Sequence, residues 1–195
     1  MHSVKVLQTR VNDLEKQCAE SEAATESLRQ YSRRDTLEIH GIPLIEGEIT
    51  NAIVVEVAKL AVPDRDFSEA MLSTSHRLPT RSGNIPPIIA KFIQRDVRDV
   101  VYRNRKKSTE NLGYETHNNI YINESLTVKS RAIFTEAKKF QNERNFKFIW
   151  TKNGHVHLKK NDSQTSRSNV FKSMQEFKDF ERGFHCQRDQ RSPIS

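Results

Sequence analysis

The sequence predicts an α+β protein with an N-terminal coiled-coil helix, a ferredoxin-like βαββαβ domain and a small α+β C-terminal domain containing a β-hairpin. Three observations carry this prediction. A heptad seam runs through residues 1–34. Segments of period two and period 3.6 alternate as β-α-β-β-α-β over residues 35–126. Asn153-Gly154 then separates two strand-forming runs within residues 127–183. Residues 184–195 are expected to form a disordered tail. With 195 residues, 35% hydrophobic and 29% charged, the chain has room for one ordinary domain or two small ones plus an extension. It is too apolar for wholesale disorder.

The first helix is predicted because Val4, Leu7, Val11, Leu14, Cys18, Ser21, Thr25 and Leu28 fall at alternating spacings of three and four, with no Gly or Pro between them. Such a stripe is buried against another helix, and Val4, Leu7, Val11, Leu14 and Leu28 are the candidate oligomerisation residues. A single amphipathic helix folded onto the domain is the alternative. Thr36 to Ile42 alternates apolar and polar as a half-buried strand stopped by Pro43. Thr50 is placed to N-cap a helix whose inner face carries Ile53, Val54, Val57 and Leu60, ended before Pro63. Ser73 to Leu78 reads as a second strand and Ile88 to Ile93 as a third, nearly continuous in apolar residues as at a sheet centre. Asp96 to Lys107 reads as a helix with Val97, Val100 and Val101 inward, and Ile120 to Ile122 as a short fourth strand. The order fits a split βαβ sheet with both helices on one face and the other face open, the layout of an RNA-recognition motif.

In the last segment Thr127 is expected to cap a helix with Ile133, Ala137 and Phe140 on one face. A type I′ turn at Asn153-Gly154 pairs Lys152 with His155, Trp150 with His157 and Ile149 with Leu158. A polar loop covers residues 161–169. Ser173 and Glu176 form a capping box that opens a helix through Met174, Phe177 and Phe180, ended at Gly183.

Charge is segregated. Net charge is +7, yet residues 35–70 hold eight acidic and two basic groups, whereas residues 71–109 hold two acidic and nine basic. That asymmetry suits a face that meets a polyanion, and it also suits an ordinary solvated surface. Arg33 and Arg34 stand at the domain junction, Arg77 at the end of the second strand and Lys91 on the third. Arg95, Arg98, Arg103, Arg105, Lys106 and Lys107 crowd the next helix and its end, and Lys129 and Arg131 open the one after. Folding could gather several of these in a cleft where each phosphate contact releases counterions. Phe148 and Trp150 have the chemistry to stack on bases, but buried hairpin core is the role the sequence favours for them.

Catalytic motifs are absent from the sequence: there is no G-x-S-x-G, Walker A loop or H-E-x-x-H, so no enzyme and no cofactor is expected. His155 and His157 share a strand face without an evident third ligand, and Cys18 and Cys186 lack C-x-x-C neighbours, which argues against a metal site and a disulfide framework. No apolar run reaches membrane-spanning length and no secretory signal is visible, so an intracellular protein, cytoplasmic or nuclear, is expected.

Five stretches, in order, resemble the first-open-reading-frame proteins of LINE-type non-LTR retrotransposons, the insect versions in particular. They are Tyr31 to Pro43, Ser75 to Pro79, Pro87 to Phe92, Val97 to Arg103 and Ile120 to Thr127. Phe146 to Lys159 also looks like the C-terminal domain of the baculovirus few-polyhedra protein. The first resemblance implies a coiled-coil oligomer that coats single-stranded RNA as a chaperone in a ribonucleoprotein. By position it implies RNA contacts at Arg33, Arg34, Lys91, Arg103 and Arg105. The sequence departs from the family pattern in two ways. It shows no zinc finger, and Val at a with Leu at d favours two helices over the three of vertebrate relatives. The third strand, Pro87-Ile-Ile-Ala-Lys-Phe92, also lacks the stacking aromatics of an ordinary RNA-recognition motif, which predicts mainly electrostatic, weakly sequence-specific binding to RNA or DNA. The second resemblance implies instead a viral structural or assembly protein that works through protein contacts.

Overall fold

The computed structural model describes residues 2–80, 83–106, 120–163 and 165–189. In chain order its elements are α1 (His2–Tyr31), β1 (Thr36–His40), α2 (Thr50–Ala61), β2 (Leu72–Arg77), β3 (Ile88–Phe92), α3 (Arg95–Arg103), β4 (Tyr121–Glu124), α4 (Val128–Glu143), β5 (Phe148–Lys152), β6 (His155–Lys159), β7 (Asn169–Phe171) and α5 (Met174–Asp189). The protein is therefore α+β, with a long N-terminal helix and two antiparallel sheets. It divides into two units, residues 33–125 and residues 1–32 together with 126–195.

In the unit 33–125 four strands pair antiparallel in the order β2-β3-β1-β4. The cause is visible in the alternation. Leu37 and Ile39, Ile88, Ala90 and Phe92, and Ile122 turn to one face, where α2 brings Ile53, Val54 and Val57 and α3 brings Val97 and Val101. The near-continuous apolar strand β3 lies inside the sheet, as expected. By register the other face carries Thr36, Glu38 and His40 of β1, Lys91 of β3, and Tyr121 and Asn123 of β4.

Several boundaries differ from expectation for local reasons. Ile49, not Thr50, caps α2. The Thr50 hydroxyl donates instead to the Ser75 carbonyl at 3.0 Å, tying the helix to β2. Strand β2 runs from Leu72 to Arg77, one residue earlier than the expected Ser73–Leu78, and its pairing with β3 shifts register between Leu72 and Thr74. Helix α3 stops at Arg103, where the Asn104 side chain turns back to the Val100 carbonyl at 2.9 Å, a side-chain bond that competes with continued helix. Lys107 lies outside the described residues.

The other unit is built on phenylalanine. Phe140, Phe146, Phe177, Phe180 and Phe184 meet in edge-on or tilted pairs 5.4–6.3 Å apart, with Val156, Leu158 and Phe171 of the sheet β5-β6-β7 beneath them. Thr127 caps α4 as expected, its hydroxyl accepting from Ser130 N–H. The hairpin has the expected register, with Asn153 and Gly154 both at positive φ. Two expectations fail here. The loop 161–169 ends in a third strand, β7, too short to announce itself by periodicity. Helix α5 also does not stop at Gly183 or leave a disordered tail from residue 184, but runs to Asp189. Packing of Phe184 on Phe140 at 5.4 Å outweighs the ~1 kcal/mol that glycine costs a helix. Residues 190–195 lie outside the described residues.

Helix α1 contacts this unit through Gln30 and through an exposed pair between Glu22 and Lys129. Gln30, 9% exposed, accepts the Thr127 N–H on its side-chain oxygen at 3.0 Å, and its Cγ and Cδ fill the space that a Cβ on Gly154 would occupy. Gly154→Ala is therefore expected to cost about 2 kcal/mol or more, since a left-handed L-residue costs ~1–2 kcal/mol before Gln30 is displaced. Thermal unfolding followed by circular dichroism checks this, and a melting temperature equal to wild type would refute it.

Candidate nucleic-acid interface

The basic residues singled out in the sequence fall into three groups. The first surrounds the start of β1. Arg33 is exposed and donates to the Ser125 hydroxyl at 3.2 Å, and that hydroxyl donates to Glu38 at 3.1 Å. Half-buried Arg34 follows. Lys91 lies across from Thr36 on the face opposite the helices and is exposed, while Arg95 opens α3 and bonds Asp35 at 3.1 Å. Arg33, Arg34, Lys91 and Arg95 thus cluster around Asp35 and Thr36.

The second group sits at the far end of α3. Arg103 and Lys106 are exposed; Arg105 is half-buried, its guanidinium 4.2 Å from the Tyr102 ring centre and bonded to the Tyr102 carbonyl. Eight residues separate Arg95 from Arg103, roughly 12 Å at 1.5 Å per residue. The third group belongs to the other unit. Lys129 forms an exposed pair with Glu22 at 3.7 Å, and Arg131 is exposed on α4.

Two candidates drop out of the interface. Arg77 is sequestered: Nε and Nη2 clasp the two oxygens of Glu48 at 2.7 Å, and the remaining donors reach the carbonyls of Ile42, Pro43 and Pro86 at 2.7–2.9 Å. All five guanidinium N–H groups are thereby used, and none is left for a phosphate. The clasp holds the Glu48 carboxyl below its ordinary range, the hydrogen bond from Arg77 being the main cause. Arg98 is 4% exposed on the helix side of the sheet, where it bonds Glu124 at 3.0 Å and Asp99 at 2.9 Å and lies 4.9 Å over Tyr102. Arginines in charge-rich stretches look alike in sequence. What separates these two is a facing carboxylate, Glu48 or Glu124, that lies far along the chain.

The sheet face opposite the helices is not open at its centre, where Thr36 and Glu38 are 6% and 3% exposed, and it is not the aromatic platform of an ordinary RNA-recognition motif. Its centre is Glu38, buried and 3.6 Å from His40, and the aromatic side chain on β4 is Tyr121, 55% exposed. The Ile120-Tyr121-Ile122 alternation is the local signal that turns this tyrosine outward.

The second unit holds the capped helix, the hairpin, the third strand and the closing helix. Residues 127–181 match the family model of the baculovirus FP protein, domain 2. A search of curated proteins finds none that matches the chain. The FP-like segment runs from the Thr127 cap into α5 and holds the whole phenylalanine core except Phe184. Its hairpin corrects one expectation: Phe148 and Trp150 are not core. Register turns them to the outer face of the FP-like sheet, where Trp150 stacks on His157, ring centres 5.1 Å apart and 14° from parallel. Among the described residues, no three His, Cys, Asp or Glu side chains gather as a metal site, and no helix is long and apolar enough to cross a membrane.

Proposed function

We propose that this chain is a non-enzymatic, self-associating protein that binds single-stranded nucleic acid. In this reading it is a relative of retrotransposon first-open-reading-frame proteins with an RNA-recognition-motif-like unit and an FP-like unit. The observation that carries the proposal is the exposed set Lys91, Arg95, Arg103 and Lys106. Lys91 lies on β3 and the other three on or just beyond α3, and the strand order β2-β3-β1-β4 supports the RNA-recognition-motif-like reading. With Glu38 in place of a stacking aromatic on β1, contact falls mainly on phosphates, and affinity should depend on salt more than on sequence. A filter-binding titration with single-stranded RNA tests this. Binding at low salt that weakens linearly in log–log form as salt rises is expected, whereas no binding at low salt sinks the proposal.

Self-association follows from α1. Val4, Leu7, Val11, Leu14 and Leu28 are 45–69% exposed in the single chain. Most helical stability in proteins comes from packing an apolar face, and α1 leaves its heptad seam exposed in the single chain, so the seam calls for a second copy. Replacing Leu7 and Leu14 by Asp should convert the protein from a dimer to its 22.7 kDa monomer in sedimentation velocity. An unchanged sedimentation coefficient would place self-association elsewhere.

The match of residues 127–181 to the FP domain favours a second reading, a structural or assembly protein acting through protein contacts. A salt-insensitive protein complex, with no nucleic acid retained, is the result that would favour it.

A further inference from the structure

We infer that the outer face of the FP-like sheet is a base-stacking platform for unpaired nucleotides, a site separate from the basic border of α3. Strand alternation sends Ile149, Thr151, Val156, Leu158 and Phe171 into the phenylalanine core, which leaves Phe148, Trp150 and Lys152, His155, His157 and Lys159, and Val170 on the outside. The core does not need these outer residues, and none of them is acidic. Phe148 and Val170 are 36% and 40% exposed, and Trp150 and His157 are half-buried against each other. Lys147 Nζ stands 5.4 Å from the Phe148 ring centre and pairs with Asp162 at the margin.

Flat rings flanked by lysines, with no carboxylate on the same strand faces, match an anionic polymer that carries flat rings of its own. Every base offers a π-face, so stacking tolerates any sequence, and Lys152 and Lys159 are placed for the phosphates on either side. An acidic peptide would match the charge but would leave Trp150 and Phe148 without ring partners. A second copy of this face would set lysine against lysine.

The inference rests on the nucleic-acid reading above, and the test separates the two. Trp150 is the single tryptophan of the chain, so its emission reports on this face alone. The full-length protein is titrated with oligouridylate, with an oligonucleotide of the same length made of abasic residues, and with poly-glutamate. Oligouridylate is expected to quench Trp150 emission along the same isotherm that filter binding gives, and the abasic strand and poly-glutamate are expected not to. Trp150→Ala should weaken filter binding by roughly 5- to 150-fold, the range given by ~1–3 kcal/mol per stacked base. Trp150→Leu, which keeps apolar cover over His157, should weaken it similarly and guards against a folding defect in the alanine variant. Retained RNA on the filter with unquenched emission and undiminished affinity in Trp150→Leu overturns the platform and leaves the nucleic-acid reading standing. Quenching by poly-glutamate equal to that by oligouridylate also overturns it, in favour of an acidic protein partner. No RNA retained at low salt removes both.

Discussion

Arg77→Ala should unfold the unit 33–125 at temperatures where the wild type is folded, and it should do so without touching a nucleic-acid contact. Removing the guanidinium strands the Glu48 carboxylate, whose side chain is 11% exposed, together with the carbonyls of Ile42, Pro43 and Pro86. Breaking a buried ion pair from one side costs about 3–5 kcal/mol. A domain of 60–100 residues loses roughly 4–8 °C of melting temperature per kcal/mol, so a fall of ~12–40 °C is expected. Arg77→Lys should recover little, because an ammonium has three donors and no planar fork to span both Glu48 oxygens. A melting temperature within a few degrees of wild type in Arg77→Ala would show that the clasp contributes nothing.

The same pair sets an acid sensitivity. The Glu48 carboxyl is held below its ordinary value, so its contribution is complete above the unfolded-state value of 4.5. That contribution is lost as pH falls from there through the lower folded-state value. Urea unfolding of the wild type should therefore weaken below about pH 4.5, and Glu48→Gln should remove that component of the slope while being less stable at neutral pH. Equal slopes in the two proteins would mean that other carboxylates dominate.

Much of the fold was legible because periodicity and turn chemistry agree with tertiary packing. The alternation in Thr36 to Ile42, the apolar run of β3 and the Asn153-Gly154 turn each specify an element locally, and the hairpin register follows from the turn alone. The elements that escaped are those whose cause is distant. Strand β7 exists because Val156 and Leu158 offer a free edge to three residues that carry no pattern of their own. Helix α5 passes Gly183 because Phe184 has a place on Phe140. Nothing near residue 30 announces that Gln30 will reach the turn glycine Gly154, since the contact spans more than a hundred residues.

The candidate interface was legible in charge but not in exposure. Lys91, Arg103 and Lys106 are exposed, whereas Arg77 and Arg98, drawn from the same basic stretch, are locked to Glu48 and Glu124. The acidic block beginning at Asp35 supplies one of those partners and the β4 strand the other, so part of the charge segregation in the sequence is cancelled by folding. For Phe148 and Trp150 the two faces of the hairpin were separable by alternation. Which face met the core depended on Ile133, Phe140 and Phe177, residues of other elements.

Charge reversal at Lys91, Arg103 and Lys106 is expected to abolish nucleic-acid binding in a folded protein. These side chains lie outside the core that holds the unit together, so the melting temperature of the triple glutamate variant should stay within a few degrees of wild type. Each lost phosphate contact on a single strand removes about 0.7 from the slope of log affinity against log salt, so three contacts account for a decrease of roughly 2. Reversal adds repulsion to that loss, and a weakening of ~100-fold or more at low salt, about 2.7 kcal/mol, is the minimum expected. The contrast with Arg98→Glu gives the measurement its meaning. That change places a carboxylate beside Glu124 and Asp99 in a site 4% exposed, so binding should disappear there together with the folded state. A triple variant that keeps its fold and binds within threefold of wild type would move the interface away from α3 altogether.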